Sequence, residues 1–398
     1  MARTVIVGAS VGGVRTAQAL RAAGYGGEIV LVGDEAELPY DKPPLSKGLL
    51  SGKTSAESVC LLTREAADEA KIELVLGSPA VGVAEGAVRL ADGTELPYDD
   101  LVVATGARAR PSPWGTPPGV HVVRTLADAT ALAEALRVGG PIVVVGAGFV
   151  GVEVAATAVG MGLTDITVVD PVPVPLSRVL SQEVAALFGD LHTGHGVKTR
   201  FGVGLADIRE GEVELADGTV LPSAVTVVGI GAMPNDEWLA GSVPVDDGVL
   251  CDEHCRSVED PHVWAVGDVA RWWHPGYERT VRLEHWTNAV EQAVVVAHNI
   301  THPEELRPHL PVEYVWSDQY DWKIRLVGRT GGDTHVRLEG ADPEKFAVLY
   351  AEDGVFVGAL TVNWAKALIT CRRALTTGAT DFAEVQAKVE AARPVAAR

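Results

Sequence analysis

Apolar residues fall in short unbroken runs along this chain, and twice such a run breaks on a cluster of glycines before apolar positions resume at helical spacing. The first instance is VIVGASVGGVRTAQAL from Val5 and the second is VVVGAGFVGVEVAATA from Val143. Each predicts a buried strand, a tight turn and a helix. The next elements along the chain come in the same order in both copies. GEIVLVGDE predicts a strand ending at Asp34 and Glu35, and DITVVDP one ending at Asp170. LADGTELP (Leu90–Pro97) and LADGTVLP (Leu215–Pro222) are near-copies in corresponding places. The first predicts a hairpin turning at Asp92-Gly93 that leads into the apolar strand LVVATG. A whole nucleotide-binding unit is duplicated, which is far more specific than either glycine motif alone.

Other segments break the pattern. ELPYDKPPLSKGLL is expected to be irregular, because its prolines remove backbone donors. HVWAVGDVARW predicts a strand and turn, and TNAVEQAVVVAHNI a helix. Near Pro311 the character changes to an α+β segment, with strands expected at EYVWSDQ, KIRLVG, KFAVLYA and VFVGALTV. The fold class is therefore α/β: two Rossmann-like, three-layer FAD/NAD(P)-binding domains and a C-terminal α+β domain. The expected boundaries are 1–107 with 234–310 for one domain, 108–233 for the second and 311–398 for the third.

Each glycine cluster has the chemistry of a phosphate cradle. Glycine gives the tight turn and the close backbone approach, and the helix N-terminus favours the charge of a pyrophosphate. Gly146-Ala-Gly148-Phe149-Val150-Gly151 satisfies the full GxGxxG pattern, and Asp170 follows at the distance where a carboxylate accepts from both ribose hydroxyls. That carboxylate repels a 2′-phosphate, and no arginine lies beside it before Arg178, so NADH is expected over NADPH. In Gly8-Ala-Ser10-Val-Gly12-Gly13, serine takes the middle position, and Asp34 stands at the matching ribose distance. Two dinucleotides in one chain most simply mean one mobile and one resident. NADH delivers a hydride, so the resident is expected to be a flavin, FAD.

Composition removes other classes. The net charge of −20 argues against general nucleic-acid binding. No apolar run approaches the length of a membrane helix, and MARTVIVGAS enters a strand without a signal-peptide pattern. Cys60, Cys251, Cys255 and Cys371 include no CxxC pair, and CDEHC matches no usual zinc spacing. A cytoplasmic protein with reduced thiols and no metal site is expected.

With these residues in view, the chain resembles the FAD-dependent ferredoxin reductases of bacterial oxygenase systems over nearly its whole length. The likeness is carried by PYDKPPLSK (Pro39–Lys47), LVVATGARARP, RTLADA, VWAVGDVA, VRLEHWTNAVEQA and VWSDQYDWKIRLVG. The resemblance implies that Gly8, Ser10, Gly12 and Gly13 hold FAD phosphates and that Asp34 with Glu35 holds its adenosine ribose. Lys47 would sit beside the isoalloxazine, Val81 by the adenine, Arg124 against the FAD from the interdomain link and Asp268, after Gly267, on the ribityl chain. Lys42, Ala104, Thr105, Gly106, Glu284 and His285 would complete that site, with Trp286 covering the pyrimidine side through its backbone. Gly146, Gly148, Phe149, Val150, Gly151, Asp170 and Gly231 would hold NADH. Glu153 would meet the nicotinamide amide and approach Lys47, and Trp316 would lie near the flavin on the route outward. The sequence departs from the family at Ser10 and at Val174, where many relatives have arginine.

The implied reaction carries electrons from NADH through FAD to a [2Fe–2S] ferredoxin, which feeds a P450 or Rieske-type oxygenase. Lys47 and Glu153 are the expected catalytic pair, in a monomer or homodimer. Lys366, Arg372 and Arg373 offer a basic face for an acidic ferredoxin. Three alternatives share the architecture: a flavoprotein disulfide reductase or cysteine peroxidase, an NADH oxidase or rubredoxin reductase-like flavoprotein, and a redox-sensing scaffold resembling apoptosis-inducing factor. The cysteine-based ones need a redox thiol beside the flavin, and the stretch from Glu35 to Gly52 contains none.

Overall fold

Thr4, Val5, Ile6 and Val7 are all buried, on both faces of their strand, as the centre of a parallel sheet requires. The computed structural model describes residues 2–342, 344–378 and 380–393. By packing, the chain divides into two units. The first takes the chain up to Lys42, Ala56–Arg108 and Ala232–Pro311. The second takes Pro43–Ser55, Ala109–Gly231 and the chain from Val312 onward.

In the first unit a five-stranded parallel sheet runs Val263–Ala265, Asp100–Val103, Arg3–Val7, Glu28–Val32, Ile72–Val75 in spatial order. In the second the order is Val120–His121, Val225–Val228, Ile142–Val145, Ile166–Asp170, Lys198–Phe201, again all parallel. In both, the strand before the glycine turn lies between the strand after the hairpin and the next strand in sequence. The duplication read from the sequence is thus a duplication of topology. Each unit also carries the hairpin as part of a three-stranded antiparallel sheet, Ala80–Ala84 to Glu95–Pro97 and Leu205–Arg209 to Val220–Pro222.

The C-terminal region forms a five-stranded antiparallel sheet ordered Tyr314–Gln319, Trp322–Gly328, Val355–Val362, Phe346–Glu352, Thr334–Glu339. Ile324, Phe346 and Tyr350 of this sheet share one core with Leu132, Val152 and Phe188 of the second parallel unit. Leu50 joins that same core, so the stretch Pro43–Ser55 groups with the second unit although it lies within the 1–107 segment. The strand Thr334–Glu339 and the helix Phe382–Ala391 are elements that the sequence pattern does not announce. The proline-rich stretch contains a short 3-10 turn, Pro43–Ser46, where an irregular segment was expected. Two adjacent prolines fix φ at values that a 3-10 turn accepts.

Candidate functional site

The two glycine turns make the same close contacts at their first and last glycines. Gly8 and Gly146 have φ of +120° and +102°, and a Cβ on them would stand 2.1 Å from the Ala104 carbonyl oxygen and 2.3 Å from that of Gly229. The last glycines, Gly13 and Gly151, would drive a Cβ to 1.9 and 2.0 Å from the carbonyl oxygens of Gly8 and Gly146. The middle position differs in kind. A Cβ on Gly148 meets no atom of the chain within 4 Å, and φ there is an ordinary −77°. Ser10 has φ −118° and is equally unstrained. Nothing in the fold therefore demands glycine at the middle position.

The helices behind these turns, Val11–Ala22 and Phe149–Gly160, have no acidic residue in the first turn and no side-chain cap. By contrast Leu126–Val138 is closed by a full capping box from Thr125 and Asp128. Uncapped N-terminal N–H groups above a glycine turn fit the pyrophosphates of FAD and of NADH.

Around the first turn, Gly12 faces Val266, and the Gly267 amide donates to the buried Gln292 at 2.7 Å. Thr105 and Asn235 exchange two hydrogen bonds, of 2.7 and 3.0 Å, which hold the Ala104-Thr105-Gly106 turn. Asp34 is exposed at the end of its strand. Glu35 instead accepts from Tyr40 at 2.5 Å and Lys42 at 3.0 Å, so its carboxylate orders the following loop. Val81 is 45% exposed. The Asp268 carbonyl and the Glu284 carboxylate both accept from Arg282. His285 precedes the helix Trp286–Thr301; its Nδ1 is buried without a hydrogen-bond partner among the described residues, and burial pushes the ring down to about 4. The Trp286 indole donates to Asp41 at 2.7 Å, and burial raises that carboxyl.

The second unit holds the remaining residues. Asp170 accepts from the amides of Ala147 at 2.6 Å and Val172 at 2.9 Å, which ties the glycine turn to the end of the next strand. Phe149 packs on the core while Val150 is 41% exposed. Gly231, with φ +115°, occupies in this copy the place of Gly106 in the other and is flanked by Arg110 and Arg178. The backbone amide of Arg124 is bound to Asp128. Trp316 stacks with Tyr314 in the antiparallel sheet.

Glu153 is buried in this unit, and its Oε2 lies 2.5 Å from Lys47 Nζ. Ser46 donates to the same oxygen at 2.6 Å, and Ser317 donates to Oε1 at 2.6 Å. Thr157 secures the loop by donating to the Ser46 carbonyl at 2.8 Å. A buried carboxylate persists because a cation and two hydroxyls satisfy it. The sequence pairs Lys47 with Glu153 by resemblance but gives no sign of Ser46 and Ser317 as their partners. Both serines lie inside the motifs that carry the resemblance, PYDKPPLSK and VWSDQ.

Three of the four thiols are buried and unsuited to redox chemistry. Burial drives Cys251 and Cys255 well up and pushes Cys371 up to about 12, which disfavours the reactive thiolate. Two further buried histidines join His285 in shaping the acid response. His309 is 2% exposed and pushed down to about 3, and His192 is 1% exposed and pushed down to about 4, both mainly by burial. Their folded-state affinity for protons lies below the ordinary 6.5, so the unfolded chain protonates first. Stability is then flat above that value and falls as the pH drops through 6 and 5, with a slope approaching about 1.4 kcal/mol per pH unit for each histidine. Urea unfolding at pH 7, 6 and 5 checks this; equal midpoints at all three would contradict it.

Fold and site together define a flavin- and nicotinamide-binding oxidoreductase built from two dinucleotide cradles. A profile described as pyridine nucleotide-disulphide oxidoreductase matches residues 2–293, and one described as reductase C-terminal matches 314–392. The chain belongs to the pyridine nucleotide-disulphide oxidoreductase family, among its ferredoxin reductases. Rhodocoxin reductase of Rhodococcus erythropolis is 38% identical over 384 residues, covering 94% of this chain and 89% of that protein. The ferredoxin–NAD(+) reductase component of the anthranilate 1,2-dioxygenase system of Burkholderia cepacia is 38% identical over 389 residues, covering 94% of each. Among solved structures, the covalent putidaredoxin reductase–putidaredoxin complex matches with a TM-score of 0.91 at 33% identity, covering 98% of this chain and 99% of that one. No helix among the described residues is long and apolar enough to cross a membrane.

Proposed function

We propose that this chain is an NADH-dependent ferredoxin reductase with resident FAD, supplying electrons to a [2Fe–2S] ferredoxin of a P450 or Rieske-type oxygenase. The observation that carries the reading is the doubled cradle, whose first and last glycines make the same close contacts in both copies. Residues 1–107 and 234–310 are assigned to FAD, 108–233 to NADH, and 311–398 to the flavin and partner interface. The free thiols suit the cytoplasm, and the chain works as a monomer or homodimer.

Bound FAD converts a two-electron hydride donor into two one-electron deliveries. The chain's own residues bind and orient. Asp34 and Asp170 accept from the two riboses, and the Asp170 carboxylate repels a 2′-phosphate, so NADH is preferred over NADPH. Glu153 accepts from the nicotinamide carboxamide, which fixes the ring for transfer. Lys47 would place its ammonium group beside the bound flavin, where a cation favours the reduced ring. The helix Ala365–Thr376 presents Lys366, Arg372 and Arg373 at its exposed face, beside the 66%-exposed Ile369, and that face receives the acidic ferredoxin.

The test is an anaerobic titration of the purified protein. The expected result is a flavin spectrum bleached by about one equivalent of NADH, much less readily by NADPH. Subsequent ferredoxin reduction slows as salt rises, while flavin reduction does not. A protein that stays colourless after FAD is added would overturn the reading.

A further inference from the structure

Glu153 leads away from Lys47 into a line of buried polar groups. Its Oε1 accepts from Ser317 at 2.6 Å, and Ser317 Oγ lies 3.1 Å from Gln319 Nε2. Gln319 Oε1 lies 3.2 Å from His192 Nε2, and His192 Nδ1 lies 2.8 Å from the Tyr320 hydroxyl. Ser317 and Gln319 are fully buried and His192 is 1% exposed. The strand Tyr314–Gln319 puts residues 317 and 319 on one face by its period of two. His192 comes from the last turn of the helix Gln182–Gly194, and Tyr320 from the turn that follows the strand.

The protons on this line can be arranged in one direction only. A carboxylate accepts, so Ser317 donates to it, and the Ser317 lone pair accepts from the Gln319 amide nitrogen. The Gln319 oxygen accepts, so His192 carries its proton on Nε2. A neutral imidazole then has a bare Nδ1, which accepts from the Tyr320 hydroxyl. Burial pushes His192 down to about 4 and the Tyr320 phenol up, so at neutral pH both hold the form that the line requires. The other titratable neighbour, His195, stacks on Tyr320 at 3.8 Å and places its Nδ1 on the Leu191 carbonyl, outside the line. The charged partner of Glu153 is Lys47.

We propose that Ser317, Gln319 and His192 are positioning residues that hold Glu153 charged and correctly turned toward the nicotinamide, through a one-way donor chain beginning at Tyr320. This rests on the role given to Glu153 above. A buried network serving stability alone would leave the pH dependence of hydride transfer unchanged when one link is removed; a positioning chain changes it.

The experiment uses the FAD-loaded protein and two readouts. Side-chain ¹⁵N spectra of the histidines, with His192 assigned by its loss in His192→Asn, should show the neutral Nε2–H form unchanged from pH 8 to pH 5.5. A titrating signal, or the Nδ1–H form, overturns the chain whatever the kinetic variants do. In stopped flow, Ser317→Ala should slow flavin reduction by NADH about tenfold and move the acid limb of its pH profile toward neutrality, since the carboxylate has lost a donor to its charged form. Ser317→Thr, which keeps the hydroxyl, should restore most of the rate. Glu153→Gln separates the two ideas. If that variant reduces its flavin at the full rate, the role of Glu153 falls. If it is slow while Ser317→Ala keeps the native rate and pH profile, that role stands and the chain falls.

Discussion

Lys47→Met is expected to destabilise the protein by about 3 kcal/mol, the order seen when one partner of a buried ion pair is removed. The reason is the asymmetry of the pair. The Lys47 side chain is 23% exposed and can reach water, whereas Glu153, at 7% exposed, is largely shielded from it. Removing the lysine leaves a desolvated carboxylate with only the Ser46 and Ser317 hydroxyls to hold its charge. Glu153→Gln removes that charge while keeping an acceptor for one serine and offering the other an amide N–H, which a hydroxyl oxygen can accept. The double variant Lys47→Met/Glu153→Gln should therefore be more stable than Lys47→Met alone, a non-additivity that marks a direct interaction. Denaturant unfolding of the FAD-loaded proteins at pH 7 measures all three. A Lys47→Met protein within about 0.5 kcal/mol of the native one, the range of ordinary surface changes, would show that the pair is not holding the buried charge.

The second large effect separates two glycines three residues apart. Gly151→Ala places its Cβ 2.0 Å from the carbonyl oxygen of Gly146, a turn residue whose amide is tied to the Val169 carbonyl at 2.8 Å, so the helix must retreat from the turn. Overpacking of this kind costs about 1–3 kcal/mol, and here it also withdraws the helix N-terminus from the pyrophosphate. Both stability and NADH affinity should fall. Gly148→Ser copies into the second cradle the residue that the first already carries. With no atom within 4 Å of the new Cβ and an unstrained φ, its stability should change by less than about 0.5 kcal/mol. Its NADH affinity should fall nonetheless. Thermal unfolding and NADH titration of the two variants decide the matter. A Gly151→Ala protein as stable as the native one would mean that the turn relaxes freely.

Those two glycines also explain what Ser10 signifies. The motif reads as degraded only if all three glycines do the same work. In both turns the first glycine is required by φ and by a facing carbonyl, and the last by the contact between helix and turn. The middle one is free of the fold, so serine there changes the ligand's side of the cradle and leaves the folding of the turn alone.

Much of the candidate site was legible because its signals are local. Apolar runs, glycine turns and Asp-Gly hairpins act through neighbouring residues, and they revealed the duplication, the two cradles and the strand-end carboxylates. Thr334–Glu339 escaped notice because this edge strand is rich in polar and charged side chains, which suit an edge and weaken the alternation that marks a strand. Glu35 illustrates the opposite limit. Its place beside Asp34 makes it a ribose candidate, and only the fold shows that its carboxylate also holds Tyr40 and Lys42.

By itself, then, the sequence determined the architecture, the number of dinucleotides and the resemblance that singled out Lys47 and Glu153. Only the tertiary structure decided how that pair is held. Ser46, Glu153, Ser317 and His192 are brought together across separations of more than a hundred residues. No local pattern encodes their meeting, because hydroxyls, an amide and an imidazole acquire a single proton arrangement only once burial has removed water as the alternative partner.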